Sequence, residues 1–228
     1  MASIKENTTI REYQKFIKDV YGLPNDRHFA AWDMFSNVER FLMRGLKGIR
    51  KNNREKTTLN LMISLSWLMS FLSQIHVDIE EELWKRFPYM CSYCASHPCV
   101  CKAQKVEHRQ NVRVDEKLRP KTFSEFQKMM EEIYPASART VEHAGIHLAE
   151  EIGELSETIL AYQGARDNVD FEKVILEAAD TVSCFIGVFN SLKLDIAKEL
   201  SIHYYDNCHN CHKIPCECSF VTILNFKS

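Results

Sequence analysis

Glycine and proline are scarce in this chain of 228 residues, in which they number 7 and 6. Both residues interrupt helices, so their scarcity predicts long helices joined by few turns. Strand-like alternation of useful length is missing too, except in the terminal segment 220–224. We therefore expect an all-α protein, with one short strand at most near its C-terminus.

The chain also has little net charge and no long apolar run. A formal net charge of −2 gives no global attraction to nucleic acid or to a membrane surface. The most apolar run, Leu59 to Leu72, has about fourteen residues, too few to span a bilayer. Residues 1–7 contain no apolar segment of the kind found in a signal peptide. We expect a cytoplasmic protein without a membrane partner.

Two pairs of acidic residues stand at helical spacing in the second half of the chain. Glu151 and Glu154 are three residues apart, and so are Glu177 and Asp180. Residues with this spacing share one face of a helix, and the turn-forming segment 163–168 lets the second helix fold back on the first. Four carboxylates then face each other across the seam between the helices. Such a seam is repulsive without a cation, and Mg²⁺ prefers oxygen ligands of this kind.

The alternative is that these acids lie on solvated surfaces, as most acidic side chains do. The second pair, however, lies in a segment from Val174 to Phe189 that is apolar nearly all round, as a buried helix is. Acids in a buried helix need partners. The sequence therefore favours a cation site over a solvated face.

With Glu150 included, the pattern reads EExxE, a spacer of about two dozen residues, then ExxD. Over residues 122–200 this pattern resembles the signature of the all-α NTP pyrophosphohydrolases, the MazG-like superfamily. The resemblance implies a helical bundle and Mg²⁺-dependent hydrolysis of an NTP or dNTP to the monophosphate and pyrophosphate. It also implies a catalytic set in which four acids hold Mg²⁺, whereas Glu150 binds a second ion or accepts the proton of the attacking water. The four metal ligands would be Glu151, Glu154, Glu177 and Asp180.

Three further residues near the acids are candidates for contact with the nucleoside triphosphate substrate. His147 lies one turn before Glu151 on the predicted helix, although a histidine there can equally be a structural hydrogen-bonding residue. Asn190 and Lys193 lie near the position where members of the family contact nucleotide.

The chain also repeats itself. A block that begins at Thr9 matches one that begins at Thr122, and Val77–Leu83 matches Leu194–Leu200. Each half then ends in a cysteine cluster with the same spacing. Three matched blocks in the same order predict two related modules of four helices, at residues 1–101 and 122–228. The segment between them, 102–121, carries seven basic and three acidic residues and is predicted to be a linker.

The first module lacks most of the acids. Asn60 and Ile63 align with Glu177 and Asp180, and Glu39 is the acid that remains in the other block. Members of the family commonly work as dimers, so the resemblance implies a fused pseudo-dimer with one catalytically active site. Further homo-oligomerisation is left open.

Basic residues replace acids in the first module. Arg40, Arg44, Lys47 and Lys51 fall on one helical face. One interpretation is a solvated face; the other is a phosphate-binding surface, which makes Arg44 and Lys47 substrate-binding candidates. A nucleic-acid partner could use the same residues, but the chemistry of the acids does not favour it.

Eight of the nine cysteines form two tetrads of identical spacing. Closely spaced thiols in a reducing compartment are more often metal ligands than disulfides, and four sulfurs suit a structural Zn²⁺. An iron–sulfur cluster and a disulfide or redox pair remain alternatives, and His97, His209 or His212 can replace one sulfur. We expect two structural zinc sites, formed by Cys91, Cys94, Cys99 and Cys101 and by Cys208, Cys211, Cys216 and Cys218. Cys184, outside both tetrads, is expected to be a buried apolar residue.

Together these features predict a Mg²⁺-dependent nucleotide pyrophosphohydrolase. Two alternatives remain: a non-enzymatic adaptor that senses a nucleotide, and a nucleic-acid-associated helical protein with structural zinc. All five family acids are present, which favours the enzyme.

Overall fold

The computed structural model describes residues 3–104 and 106–226, without the side chain of Phe220. These residues form α-helices, two short 3-10 turns and no strand, which confirms the all-α expectation. The segment 220–224, the one place where the sequence shows strand-like alternation, is also helical, because the Ser219 side chain accepts a hydrogen bond from the Thr222 backbone N–H and caps the helix. The helices are α1 (Ile10–His28), α2 (Ala31–Arg50), α3 (Arg54–Gln74), α4 (Ile79–Arg86), α5 (Phe123–Ile133), α6 (Val141–Ala165), α7 (Asn168–Leu192), α8 (Ile196–His203) and α9 (Phe220–Asn225).

Local sequence explains where the functional helices begin and end. The Thr140 side chain caps the first turn of α6 by accepting from the His143 backbone N–H, and Asp167 caps α7 in the same way through Asp170. Between them, Arg166 takes a left-handed conformation with φ 56°, which stops α6 and reverses the chain. The long helices α6 and α7 therefore pack along each other as an antiparallel pair.

The chain forms two compact units, and each unit combines parts of both sequence repeats. Unit 1 contains Met1–Asp78 and Ala197–Ser228, and unit 2 contains Ile79–Ile196. Helices α1 to α3 thus pack in unit 1 with the C-terminal arm of the second repeat, which begins in α8. Helices α5 to α7 pack in unit 2 with α4 and the cysteine cluster of the first repeat. The compact units therefore cut across the boundaries 1–101 and 122–228 drawn from the sequence.

The predicted linker, 102–121, lies in unit 2. Apart from Lys105, which lies outside the described residues, it is largely irregular, with one 3-10 turn at Glu116–Leu118. Arg119 donates to Glu81 of α4 at 2.8 Å, and Trp84 donates its indole N–H to Glu116 at 2.9 Å. The segment is thus attached to α4 by polar contacts.

Equivalent contacts recur in the two units. In unit 1 the Cys216 backbone N–H donates to the Val20 carbonyl at 2.7 Å, and in unit 2 that of Cys99 donates to Ile133 at 2.9 Å. Two side-chain contacts also recur. The Gln14 side chain donates to the Val77 carbonyl in unit 1, and the Gln127 side chain donates to the Leu194 carbonyl in unit 2. In the same way the Ser64 hydroxyl donates to the Val38 carbonyl, and the Thr181 hydroxyl donates to the Glu151 carbonyl. These matched contacts extend the sequence repeat into the fold. In both units a cysteine loop bonds to the first helix of the other repeat, at Val20 within α1 and at Ile133, the last residue of α5.

Helix α7 is the one described helix that by itself is long and apolar enough to cross a membrane. Within its most apolar window, 61% is buried inside the protein, as in the core helix of a globular unit. The run Leu59–Leu72 lies in α3 and is also largely buried. Length and composition alone are weak grounds for a membrane span.

Candidate metal centre

The seam between α6 and α7 is apolar at its centre and acidic at its edge. The residues on the facing sides are almost entirely buried, which fixes the rotation of each helix. Glu151, Glu177 and Asp180 lie at the margin of this buried face and are themselves partly buried. The buried residues of the seam are Leu148, Ile152 and Leu155 on α6, and Val174, Ala178, Val182 and Phe185 on α7.

Three of the five predicted acids converge. One carboxylate oxygen from each of Glu151, Glu177 and Asp180 lies within 4.8 Å of the others. Burial raises the pKa of Glu177, and the charges of Asp180, Glu151 and Glu154 raise it further. The second oxygen of Glu151, Oε2, is buried and has no hydrogen-bond partner. A hard divalent cation would supply the missing partner and relieve the repulsion, so the donor set fits such an ion.

The other two acids are placed differently. Glu150 and Glu154 are both exposed, and neither belongs to the converging group. Glu154 is close enough for its charge to raise the pKa of Glu177. Its role as a ligand, and the catalytic role of Glu150, stay predictions.

Arg86, from α4, reaches the same group. Its guanidinium donates two hydrogen bonds to the Asp180 carboxylate, at 2.9 and 2.6 Å. Burial alone would lower the pKa of Arg86, but the hydrogen bonds and charge of Asp180, and then the charge of Glu177, raise it. Sequence reasoning missed this residue because α4 belongs to the first repeat. Arg86 reaches the acids of the second repeat because the part of the first repeat that begins at α4 packs in unit 2, an arrangement that we call the exchange of arms.

His147 lies beside the carboxylates, as its position one turn before Glu151 predicted. Its Nε2 is 3.1 Å from Glu151 Oε1, and its Nδ1 is 3.5 Å from the Cys184 sulfur. These hydrogen bonds, that to Cys184 first, raise the pKa of His147 to about 10. Cys184 is buried, as expected. No sequence pattern indicated that its thiol would contact His147.

The other predicted substrate residues in unit 2 are not drawn into the carboxylate group. The Asn190 side chain accepts from the Gln127 side chain at 2.8 Å and donates to its carbonyl at 3.2 Å, so it holds α5 against α7. Lys193 is exposed and ends α7 in a left-handed conformation. Their contact with nucleotide stays a prediction.

Arg44 and Lys47 lie in unit 1. Arg44 donates to the Phe226 carbonyl at 2.7 Å, whereas Lys47 is exposed. Both line a basic concavity together with Lys51 and Lys56. In the same unit Asn60 and Ile63 are buried, and the Asn60 side chain donates to the Lys56 carbonyl at 2.6 Å. The positions that align with Glu177 and Asp180 thus hold no carboxylate.

Each cysteine tetrad forms a compact group of four thiols. The four sulfurs of each tetrad lie within 4.8 Å of one another, and no cysteine of the described residues is in a disulfide. Cys91 and Cys101 are separated by 3.7 Å between sulfurs, and Cys94 and Cys99 by 3.9 Å. Four thiolates about 2.3 Å from a tetrahedral metal are about 3.8 Å apart. Both tetrads can therefore hold a zinc-like ion with no sulfur replaced by histidine.

The second tetrad is further supported by aromatic residues of unit 1. Hydrogen bonding between Cys208 and Cys216 lowers the pKa of Cys208 to about 3 and raises that of Cys216, so the two thiols share a proton without a metal. His209 is not in the sulfur group; its Nδ1 lies 3.1 Å from the Tyr21 hydroxyl, and its ring stacks on His203.

Comparison of the chain with protein-family models, with curated proteins and with solved structures gave no significant match.

Proposed function

We propose that the protein is a Mg²⁺-dependent nucleoside triphosphate pyrophosphohydrolase with its active site in unit 2. The observation that carries the proposal is the convergence of Glu151, Glu177 and Asp180 within 4.8 Å, with one buried Glu151 oxygen left without a partner. Arg86 compensates the charge of Asp180 and His147 pairs with one oxygen of Glu151, but Glu177 and the second Glu151 oxygen still favour a bound cation. The resemblance of residues 122–200 to the MazG-like superfamily supplies the reaction class.

In this proposal each residue has a distinct task. Glu151, Glu177 and Asp180 hold Mg²⁺, while Glu154 lies at the exposed edge of the group and contributes negative charge. When bound there, Mg²⁺ would supply positive charge next to the phosphates and would lower the pKa of a bound water. Arg86 adds a guanidinium beside the ion, and its planar donors suit phosphate oxygens.

We also propose that the ion in each tetrad is a structural Zn²⁺. Four sulfurs complete a tetrahedral shell and leave no position open for substrate. Each loop is bonded to the first helix of the other repeat, so the metal would fix the segment that one repeat contributes to the other's unit. Free thiols in both tetrads agree with a reducing compartment such as the cytoplasm.

The test is a screen of all NTPs and dNTPs, with phosphate measured after addition of an inorganic pyrophosphatase. We expect Mg²⁺-dependent release of pyrophosphate from at least one nucleotide, and a decrease of about 100-fold or more in kcat/KM for Glu151→Gln and for Glu177→Gln. Glu157→Gln is the matched control, because Glu157 is an exposed glutamate of α6 outside the converging group. It should leave turnover unchanged.

Other outcomes identify the alternatives. Nucleotide binding without turnover would support the sensing adaptor. Salt-sensitive binding of nucleic acid, weakened by Arg44→Ala with Lys47→Ala, would support the nucleic-acid-associated protein. Either result without pyrophosphate release would overturn the proposed enzyme.

A further inference from the structure

A second group of potential metal ligands lies beside the carboxylates and differs from them in chemistry. His147, Glu151 and Cys184 each place one ligand atom within 4.8 Å of the other two. The Cys184 sulfur is 3.5 Å from His147 Nδ1, which is close to the separation of a sulfur and a nitrogen bound to one tetrahedral zinc ion. The group therefore offers sulfur, nitrogen and oxygen ligands close together, with Cys184 facing Nδ1 of His147 and Glu151 facing Nε2 at 3.1 Å.

This ligand set selects a different ion from that of the carboxylate group. Thiolate and imidazole ligands favour Zn²⁺ and related transition metals, whereas Mg²⁺ prefers oxygen. Three protein ligands also leave a fourth tetrahedral position open, as in catalytic zinc sites and unlike the closed tetrads. We propose that His147, Glu151 and Cys184 form a third transition-metal site, which shares Glu151 with the carboxylate group. Binding at this site does not depend on the proposed nucleotide hydrolysis.

Two cationic side chains lie near the Cys184 thiol. Burial raises the pKa of this thiol and the charge of Glu151 raises it further, whereas the hydrogen bond and charge of His147 and the charge of Arg139 oppose that rise. Arg139 approaches α7 closely at Gly187, where a Cβ atom would lie 2.5 Å from the guanidinium Nη2. The glycine thus makes room for a cation that favours the ionised form of Cys184.

Access and selectivity follow from the same geometry. The His147 side chain is 47% exposed, so an ion can reach the group from solvent, while Cys184 closes the inner side. In unit 1 the corresponding positions of the repeat hold Met34 and Trp67. Trp67 is in edge-to-face contact with Phe29 there. The mixed ligand group is thus particular to the unit that carries the acids.

Cobalt provides a direct test, because a thiolate bound to Co²⁺ gives an intense near-ultraviolet charge-transfer band. The full-length protein is first loaded with zinc until both tetrads are saturated, excess zinc is removed, and Co²⁺ is added. Elemental analysis shows whether the tetrads keep their zinc. We expect one further equivalent of Co²⁺ to bind with the thiolate band, and the band to disappear in Cys184→Ser.

Two other variants make the result independent of the folding of Cys184→Ser. His147→Asn, at a half-exposed position, should weaken Co²⁺ binding at least about tenfold, whereas Glu157→Gln, at an exposed glutamate of α6 outside both groups, should leave the band and the affinity unchanged. The proposal is overturned if Co²⁺ binds to the zinc-loaded protein without the thiolate band, if it does not bind, or if His147→Asn binds it as tightly as wild type. If the wild-type protein binds Co²⁺ as expected but hydrolyses no nucleotide, the proposed enzyme is contradicted and the proposed metal site is not.

Discussion

Replacing Arg86 by glutamine removes the charge that neutralises Asp180 through hydrogen bonds of 2.9 and 2.6 Å. Only 10% of the Arg86 side chain and 15% of the Asp180 side chain are exposed, so water screens this ion pair weakly. Breaking such a pair leaves an uncompensated charge and typically costs about 3–5 kcal/mol. We expect the free energy of unfolding of the metal-free variant to be about 3 kcal/mol lower than that of the wild type. This value is at the lower end of that range because glutamine keeps a hydrogen-bond donor.

Mg²⁺ should then restore part of that loss. In the proposed site the ion takes over the role of Arg86 by neutralising Glu151, Glu177 and Asp180. A ligand present at 100 times its Kd stabilises a protein by about 2.7 kcal/mol. Because Arg86 holds Asp180 in the wild type, Mg²⁺ should stabilise Arg86→Gln more than it stabilises the wild type. Urea denaturation with chelator and with saturating Mg²⁺ measures both effects.

The matched control is Arg11→Gln in unit 1. Arg11 and Asp78 approach to the same 2.6 Å, but their side chains are 53% and 42% exposed. An exposed pair contributes under about 1 kcal/mol, and no response to Mg²⁺ is expected there. The reasoning is refuted if Arg86→Gln is as stable as wild type in chelator, or if Mg²⁺ stabilises both proteins equally.

Two further predictions concern zinc and pH. Protein purified without chelator should contain two zinc ions per chain in its tetrads. Cys91→Ser should lower the zinc content by one ion per chain and should lower the melting temperature, both measured on the same sample. Unchanged zinc content would exclude Cys91 as a ligand. Burial, with the charge of His209, lowers the pKa of His203 from 6.5 to about 4, so His203 must stay neutral in the fold and stability falls as the pH drops below 6.5. Between about pH 7.5 and about pH 5.5 this contribution amounts to about 1 kcal/mol. His203→Phe should remove that part of the pH dependence in urea denaturation, and an unchanged slope would contradict the assignment.

Features encoded by local sequence could be predicted. The spacing of Glu151, Glu177 and Asp180 placed them on facing helix surfaces, and their convergence agrees with that expectation. The four sulfurs of each tetrad also converge as their spacing suggested. The cysteines of each tetrad share one loop, and the acids lie on two consecutive helices joined by a short turn, so local helix and turn geometry accounts for both groupings.

Features that depend on tertiary topology could not be predicted. Arg86 reaches Asp180 across 94 residues of chain, and no local pattern indicates that contact. The contact of His147 with Cys184 likewise depends on how α6 and α7 are rotated against each other. The last helix was misread because Phe220–Asn225 is apolar enough for a strand, whereas its conformation is set by the Ser219 cap.

The exchange of arms has a consequence for how the chain tolerates cutting. Each unit needs a segment from both repeats, so neither repeat alone contains a complete core. A protease that cleaves the segment 102–121 should therefore leave two fragments that remain associated until denaturant separates them. The same two fragments, produced apart and mixed, should reassemble.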